Sequence, residues 1–322
     1  MTFQQLAYVV EISKCGSINK AAHKLMQSQS GISSAVRELE EELGIQFFVR
    51  SNRGVDFTPD GREFLSYAVS LLDQKERIER LYETRDVTAP ERFSVSTQRY
   101  PFTEDAFLRM LEAAGDVRYH VSIKETGMDT VIDDVYDHRA DIGVIFLTEL
   151  TEKMIRRLLD ARELEFHEVA SVPPCVYVRK GHPLASRDAV SAQDLEGFPY
   201  VSFEHAQGVA ADFSEEYQMM SMKRPDRCIS VNNRATMMNV LARTDAFTTG
   251  SGLLVESFIS QAVVSVPLEE EHAIRIGWIL PRGGKRSPMT MQFLHFLEES
   301  VTASIRFTTR LHQSLAEGHS AP

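Results

Sequence analysis

Apolar positions in the first part of the chain recur every three or four residues, and polar or glycine punctuation cuts them into short helices. Phe3, Leu6, Val9 and Val10 predict an amphipathic helix that Gly16 ends. Ser17 stands where an N-cap belongs, ahead of Ile18, Ala21, Ala22 and Leu25, and the small pair Ala21-Ala22 lets a neighbouring helix approach closely. Gln27-Ser28 makes a turn. A third helix follows, with Ile32, Val36, Leu39 and Leu43 in one buried stripe and Gly44 as its stop. Phe47-Phe48-Val49-Arg50 and Val55-Asp56-Phe57 read as strands joined by the turn cluster Ser51-Asn52-Arg53-Gly54. Thr58-Pro59-Asp60-Gly61 opens another helix, with Thr58 as cap and Pro59 at its first position. Two short helices, a tight turn and a β-wing make the pattern of a winged helix-turn-helix, which places one helix in the DNA major groove. Any small three-helix domain shows such stripes, so the pattern alone leaves plain packing open beside DNA binding.

The third helix is chemically polarised. Gln29, Ser30, Ser33, Ser34 and Arg37 lie opposite its apolar stripe and cluster toward its N-terminus, where free N–H groups and the positive dipole end favour phosphate and side chains reach base edges. Glu38, Glu40, Glu41 and Glu42 crowd the other end, which should point away from a duplex. Arg50 and Arg53 flank the hairpin tip, where a wing touches backbone or minor groove. Bulk charge says less. The chain carries a formal −11, whereas residues 1–62 hold seven Lys and Arg against seven Asp and Glu. Polyanion binding by an acidic protein needs a local basic patch and falls steeply with salt.

Between Gly61 and about Val87 there is no further glycine or proline, which predicts one long helix. Phe64, Ala68, Leu71, Ile78 and Tyr82 form a heptad-like seam interrupted at Lys75. Such a seam needs a partner, either its own domain or a second chain. Beyond it, strand-like and helical stretches alternate. Strands are expected at 93–96, 119–123, 140–146, 169–180, 199–201, 228–231, 246–249, 263–268 and 272–281. Helices are expected at 104–114, 128–137 and 233–243, with a closing helix from Pro288. This alternation predicts mainly parallel sheet in two α/β lobes. Ligands of such sheets bind at the carboxyl ends of strands. Ser96, Thr97 and Arg99, Thr148, Ser202 and Phe203, and Thr248 and Thr249 occupy four such ends. Their hydroxyls suit a small carboxylate and Arg99 favours an anion, though Ser and Thr at strand ends also cap helices.

Ser17 through Ala22, Leu25, Ser28-Gln29, Ser33, Leu39-Glu40, Leu43-Gly44, Phe48, Arg50, Thr58 and Gly61 together resemble the N-terminal domain of the LysR-type transcriptional regulators. Arg179 through Ala185 with Asp194-Leu195, and more weakly Asn239 through Gly252, resemble phrases of that family's effector-binding region, whose fold is similar to type 2 periplasmic binding proteins. The resemblance implies a winged helix-turn-helix at 1–60 and a dimerising linker helix at 61–90. It implies an effector domain with lobe I at 91–163 and 267–308 and lobe II at 164–266. Residues 309–322 are expected to be a flexible tail. It also implies double-stranded DNA and a small effector as partners, a homodimer or homotetramer, and RNA polymerase as a further candidate partner. One departure stands out: Ser30 occupies the place where the family usually carries proline, which predicts a looser turn and a changed base preference.

Competing chemistry finds little support. Cys15, Cys175 and Cys228 show no zinc spacing, and no Walker A loop, GxGxxG or serine elbow occurs. His167, His182, His205 and His295 are scattered. No cofactor, metal or catalytic residue is therefore expected, and an enzyme or ligand-binding module with an added helical N-terminus is the less favoured class. Some members of the resembled family sense peroxide through a cysteine pair, so redox sensing by Cys175 and Cys228 is the second expectation. With no leader and no apolar run of membrane length, a cytoplasmic protein with no membrane partner is expected.

Overall fold

The structure is a computed structural model that describes residues 1–51, 54–82, 90–204, 226–258, 262–269, 272–284 and 286–317. It divides into two units, Met1–Ala89 and Pro90–Pro322.

In the first unit, α1 (Phe3–Cys15) begins at a capping box between Thr2 and Gln5 and ends at Gly16, whose φ of 61° is left-handed. Ser17 and Ser28 cap α2 (Ile18–Lys24) and α3 (Gln29–Leu43) through the amides of Lys20 and Gly31. Val9, Ile12, Ala21, Ala22, Ile32, Val36, Leu39 and Phe47 form the core. Two expected members are missing. Phe3 and Leu43, each at a helix end, are exposed, and Phe3 meets α4 only through the Lys75 ammonium, 5.9 Å from its ring centre. β1 (Phe48–Ser51) and β2 (Gly54–Phe57) pair antiparallel as the wing. Thr58 caps α4 (Pro59–Tyr82), accepting from the amide of Gly61 at 2.9 Å. Gly61 is required there: a Cβ would lie 2.2 Å from the carbonyl oxygen of Phe47.

The second unit holds both lobes. Lobe I is a five-stranded sheet in the order β4-β3-β5-β12-β6, with β3 (Glu91–Thr97), β4 (Tyr119–Glu125), β5 (Ile142–Leu147), β6 (Leu164–Val172) and β12 (Ile274–Pro281). α5 (Pro101–Ala114) packs along α9 (Pro288–Glu317), and Phe293 of α9 meets Phe93 of β3. On the opposite face, Val131 and Val135 of α6 (Met128–Tyr136) press on Gly143. α7 (Glu149–Ala161) connects β5 to β6. Lobe II carries β7 (Cys175–Arg179) between β10 (Thr248–Gly250) and β11 (Val263–Pro267). A bridge between Tyr200 and Phe247 adds the parallel pair β8 (Tyr200–Phe203) and β9 (Cys228–Val231), and α8 (Arg234–Arg243) covers one face.

Among the described residues, four strands of each lobe run one way and the fifth is reversed. The reversed strands are β7 and β12, those by which the chain arrives from the other lobe. A strand entering at the crossing end must run against those that leave by it. This corrects three expected boundaries. β6 ends at Val172 inside lobe I rather than opening lobe II at 164. The return crossing lies between Pro267 and Ile274. The segment expected to be a tail from 309 continues α9 to Glu317, because Thr308 is buried and His312 bonds Ser265, 2.9 Å from its carbonyl oxygen.

Candidate nucleic-acid interface and effector cleft

On α3 the buried stripe of Ile32, Val36 and Leu39 fixes the helix against its unit, and Gln29, Ser30, Ser34 and Arg37 stand exposed on the other side, with Ser33 half-buried. The Ser28 cap holds the first turn even without proline at position 30, and the Ser30 hydroxyl donates to Ser28 at 3.4 Å. The turn before α3 is tight. Met26 takes a left-handed φ of 53° and is 93% exposed. The acidic end is less uniform than expected. The Glu40 carboxylate turns inward and accepts the amide of Phe47 at 2.6 Å, fixing the start of the wing, whereas Glu38, Glu41 and Glu42 face solvent. Lys24, on α2, lies 2.7 Å from Glu11, and its hydrogen bond holds that carboxyl below its usual value. Arg50 falls in β1, and Arg53 lies outside the described residues.

The α4 seam divides. Ala68 is fully buried against Leu6 and Val10 of α1, and Phe64 stacks on Phe47 at 4.3 Å, so both are used inside their own unit. Leu71 is 37% exposed and Ile78 58% exposed, with Tyr67 and Val69 also in solvent. Tyr82 ends the helix.

The strand-end hydroxyls of the second unit are mostly committed to the protein itself. Ser96 donates to Asp134 of α6 at 2.7 Å, in a cluster completed by Lys124 at 2.8 Å and Arg139 at 2.9 Å. Burial opposes ionisation of Asp134, but the hydrogen bonds from Lys124, Arg139 and Ser96 outweigh it and hold the carboxyl below its ordinary value. Thr97 donates to the carbonyl of Gln98 at 2.7 Å. Thr148 is the cap residue of α7, 3.0 Å from the Thr151 hydroxyl. Thr249 lies 3.2 Å from the Tyr200 hydroxyl. Thr248 sits inside lobe II on the α8 face and leaves its buried hydroxyl without a partner among the described residues. Arg99 and Phe203 do meet. The guanidinium of Arg99, from the loop after β3, lies 4.0 Å from the ring centre of Phe203 at the end of β8. Ser202 is buried beside it in β8.

Sequence reasoning missed three charged groups. Arg234 at the start of α8 in lobe II pairs with Glu104 on α5 and lies 3.3 Å from Glu125 at the end of β4, both in lobe I. The cap Asn233 before Arg234 was legible, but its meeting with α5 and β4 depends on how the lobes close. The cysteine pair does not meet. Cys228 and Cys175 are separated by three strand spacings across β9-β8-β10-β7, about 14 Å at ordinary spacing, whereas a disulfide needs Cα atoms within about 7 Å. Burial also pushes the Cys175 thiol up to about 12, which removes reactive thiolate at neutral pH. His182 is structural: it is buried and accepts the Leu184 amide at 3.1 Å.

Residues 3–62 match the family model "Bacterial regulatory helix-turn-helix protein, lysR family", and residues 107–302 match "LysR substrate binding domain". The chain belongs to the LysR family of transcriptional regulators. This LysR-type regulator is 24% identical over 310 residues to the Hca operon transcriptional activator HcaR of Escherichia coli strain K12, covering 94% of the chain and 100% of the relative. It is 33% identical over 139 residues to the regulator YofA of Bacillus subtilis strain 168, covering 42% of the chain and 47% of the relative. Its fold is similar to that of the LysR family regulator CbnR, with a TM-score of 0.58, 18% identity, and 94% and 99% of the two chains covered. Full-length CbnR complexed with its target DNA matches at a TM-score of 0.59 and 17% identity, covering 93% and 100%. A DNA-binding regulator with an effector domain is thus the function of the chain. Among the described residues no helix is long and apolar enough to cross a membrane, and no group of three or more His, Cys, Asp and Glu could hold a metal ion.

Proposed function

We propose that this regulator reads its operator through Gln29, Ser30, Ser33, Ser34 and Arg37, with Arg50 and Arg53 of the wing contacting backbone or minor groove. The observation that carries this reading is the polar N-terminal half of α3, exposed opposite a fully buried stripe and held by a formed cap. Two chains pair through the second half of α4, where Leu71 and Ile78 face solvent, with Leu71, Ile78 and Tyr82 as the seam, so that two recognition helices address two half-sites. The assembly is a homodimer or homotetramer that works on cytoplasmic DNA, with RNA polymerase as its downstream partner and no catalytic role. A small anionic effector enters between the lobes beside Arg99, Ser202 and Phe203. Support for that placement comes from the Arg99 guanidinium spanning the lobes and from the paucity of uncommitted hydroxyls elsewhere at the strand ends.

A mobility-shift titration at two salt concentrations on the DNA upstream of the regulator's own coding region tests the first part. Gln29→Ala weakens discrimination between specific and scrambled DNA, whereas Arg53→Ala weakens both about equally and lowers the salt dependence. Relaxed base preference in Arg53→Ala with unchanged preference in Gln29→Ala overturns the groove assignment.

A further inference from the structure

Two contacts join the lobes, in opposite senses, on the β4-β3 side of lobe I, across the sheet from the crossing strands β6 and β12. Arg234, a cation of lobe II, reaches two carboxylates of lobe I, Glu104 and Glu125. Arg99, a cation of lobe I, lies on the Phe203 ring of lobe II. None of the three charged groups, Arg234, Glu104 and Glu125, belongs to either lobe's apolar core, and all are partly open to solvent. Each lobe would keep its own fold without them.

The arrangement favours two states over a continuum. With the lobes together, one guanidinium serves two acids. With the lobes apart, Glu104 and Glu125 face each other without it, and Arg234 stands alone at the start of α8. Glu125 already feels the crowding. Partial burial pushes its carboxyl up, the Arg234 charge pulls it back, the Glu104 charge pushes it up again, and the Arg99 charge of the same lobe offsets part of that. At the crossing strands, α9 reaches over to lobe II: Thr308 accepts from the Leu254 amide at 3.1 Å, and His312 lies 2.9 Å from the Ser265 carbonyl oxygen. A pinned crossing with a separate ionic contact on the β4-β3 side is the layout of a hinge with a catch.

We propose that Arg234, bridging Glu104 and Glu125, is an interlobe latch that holds the effector cleft closed in the free regulator, with the Arg99–Phe203 stack as its weaker second point. This rests on the reading of the cleft as the effector site. It adds that an effector must displace or rearrange the latch, so its strength sets how readily the cleft responds. Being partly exposed, the latch weakens in high salt.

The test uses full-length protein spin-labelled at Glu112→Cys on α5 and Lys180→Cys beyond β7, in a Cys15→Ala, Cys228→Ser background. Labelled chains are diluted with unlabelled ones so that measured pairs lie within one chain. Neither DNA nor effector is added, so failure of the latch is separable from failure of the effector reading. Arg234→Ala shifts the distance distribution to longer values, Glu104→Gln with Glu125→Gln gives the same shift, and combining all three adds nothing further. Phe203→Ala gives a smaller shift, and 1 M NaCl moves the parent protein the same way. If Arg234→Ala loses its cooperative melting transition, the double glutamine variant, which keeps the Asn233 cap, decides. A distribution unchanged or shortened in the variant that melts cooperatively overturns the proposal.

Discussion

The N-terminal end of α3 and the strand ends of the effector unit carry the same kind of residue, small hydroxyls and an arginine, and the structure treats them oppositely. On α3 the hydroxyls of Ser30 and Ser34 stay in solvent, because one stripe of Ile32, Val36 and Leu39 already anchors the helix. At the strand ends, Ser96, Thr97, Thr148 and Thr249 are buried and satisfied by their own chain. A surface helix can leave its polar face free. A hydroxyl at the end of a buried strand must find a partner or cost stability, and the nearest partner is usually internal.

That contrast can be broken at several points. The largest expected effect is at Asp134. Asp134→Ala leaves Lys124, Arg139 and Ser96 without their shared acceptor and should lower the stability of the effector unit by about 3 kcal/mol in a urea titration, discounted from the upper range because Lys124 is half exposed. The pH dependence sharpens it. The folded carboxyl titrates below its unfolded value of 3.8, so its contribution is complete above that value and is lost as the pH falls through the folded one. Asp134→Asn should therefore flatten the loss of stability below about pH 4. A similar loss is expected in the first unit for Gly61→Ala, about 2–3 kcal/mol, since the added methyl meets backbone rather than a yielding side chain.

On the DNA side, Gln29→Ala should reduce the preference for specific over scrambled DNA by about 1–3 kcal/mol, read as the ratio of two dissociation constants at fixed salt. Smaller effects test strain and satisfaction. Met26→Gly should stabilise the first unit by about 1 kcal/mol, because the left-handed backbone of this exposed residue suits glycine. Thr248→Val should raise the melting temperature slightly, by about 1 kcal/mol in stability, since it removes a buried hydroxyl that no described residue satisfies. A loss in either variant assigns the original side chain a contact that this account lacks.

Legibility in the sequence followed the range of the interactions involved. In the first unit, caps, glycine stops and helical stripes are local, and they place α1 to α4 and the wing almost to the residue. Phe3 and Leu43 fail only because a stripe says nothing about where its partner surface ends. Periodicity alone also could not divide the α4 seam. Phe64 and Ala68 share a face with Leu71, but α1 covers only the first part of it. In the second unit α7 is absent from the expected helices although Leu150, Met154, Ile155, Leu158 and Leu159 fall at helical spacing, so here a local signal was present and unread. The stretch 169–180 looked like one strand but is the end of β6 and all of β7, in different lobes, parted by Pro173-Pro174. The Arg234 cluster joins residues more than a hundred positions apart and left no local trace.

The central claim is that the polar side of α3 lies on nucleotides. Its most direct test is photo-crosslinking of full-length protein to the DNA upstream of its own coding region, with the crosslinking side chain placed at Ser33 or at Glu41 of the same helix. Crosslinks to bases are expected from position 33 and none from position 41. Equal yields from both positions, or a yield from 41 alone, would contradict it.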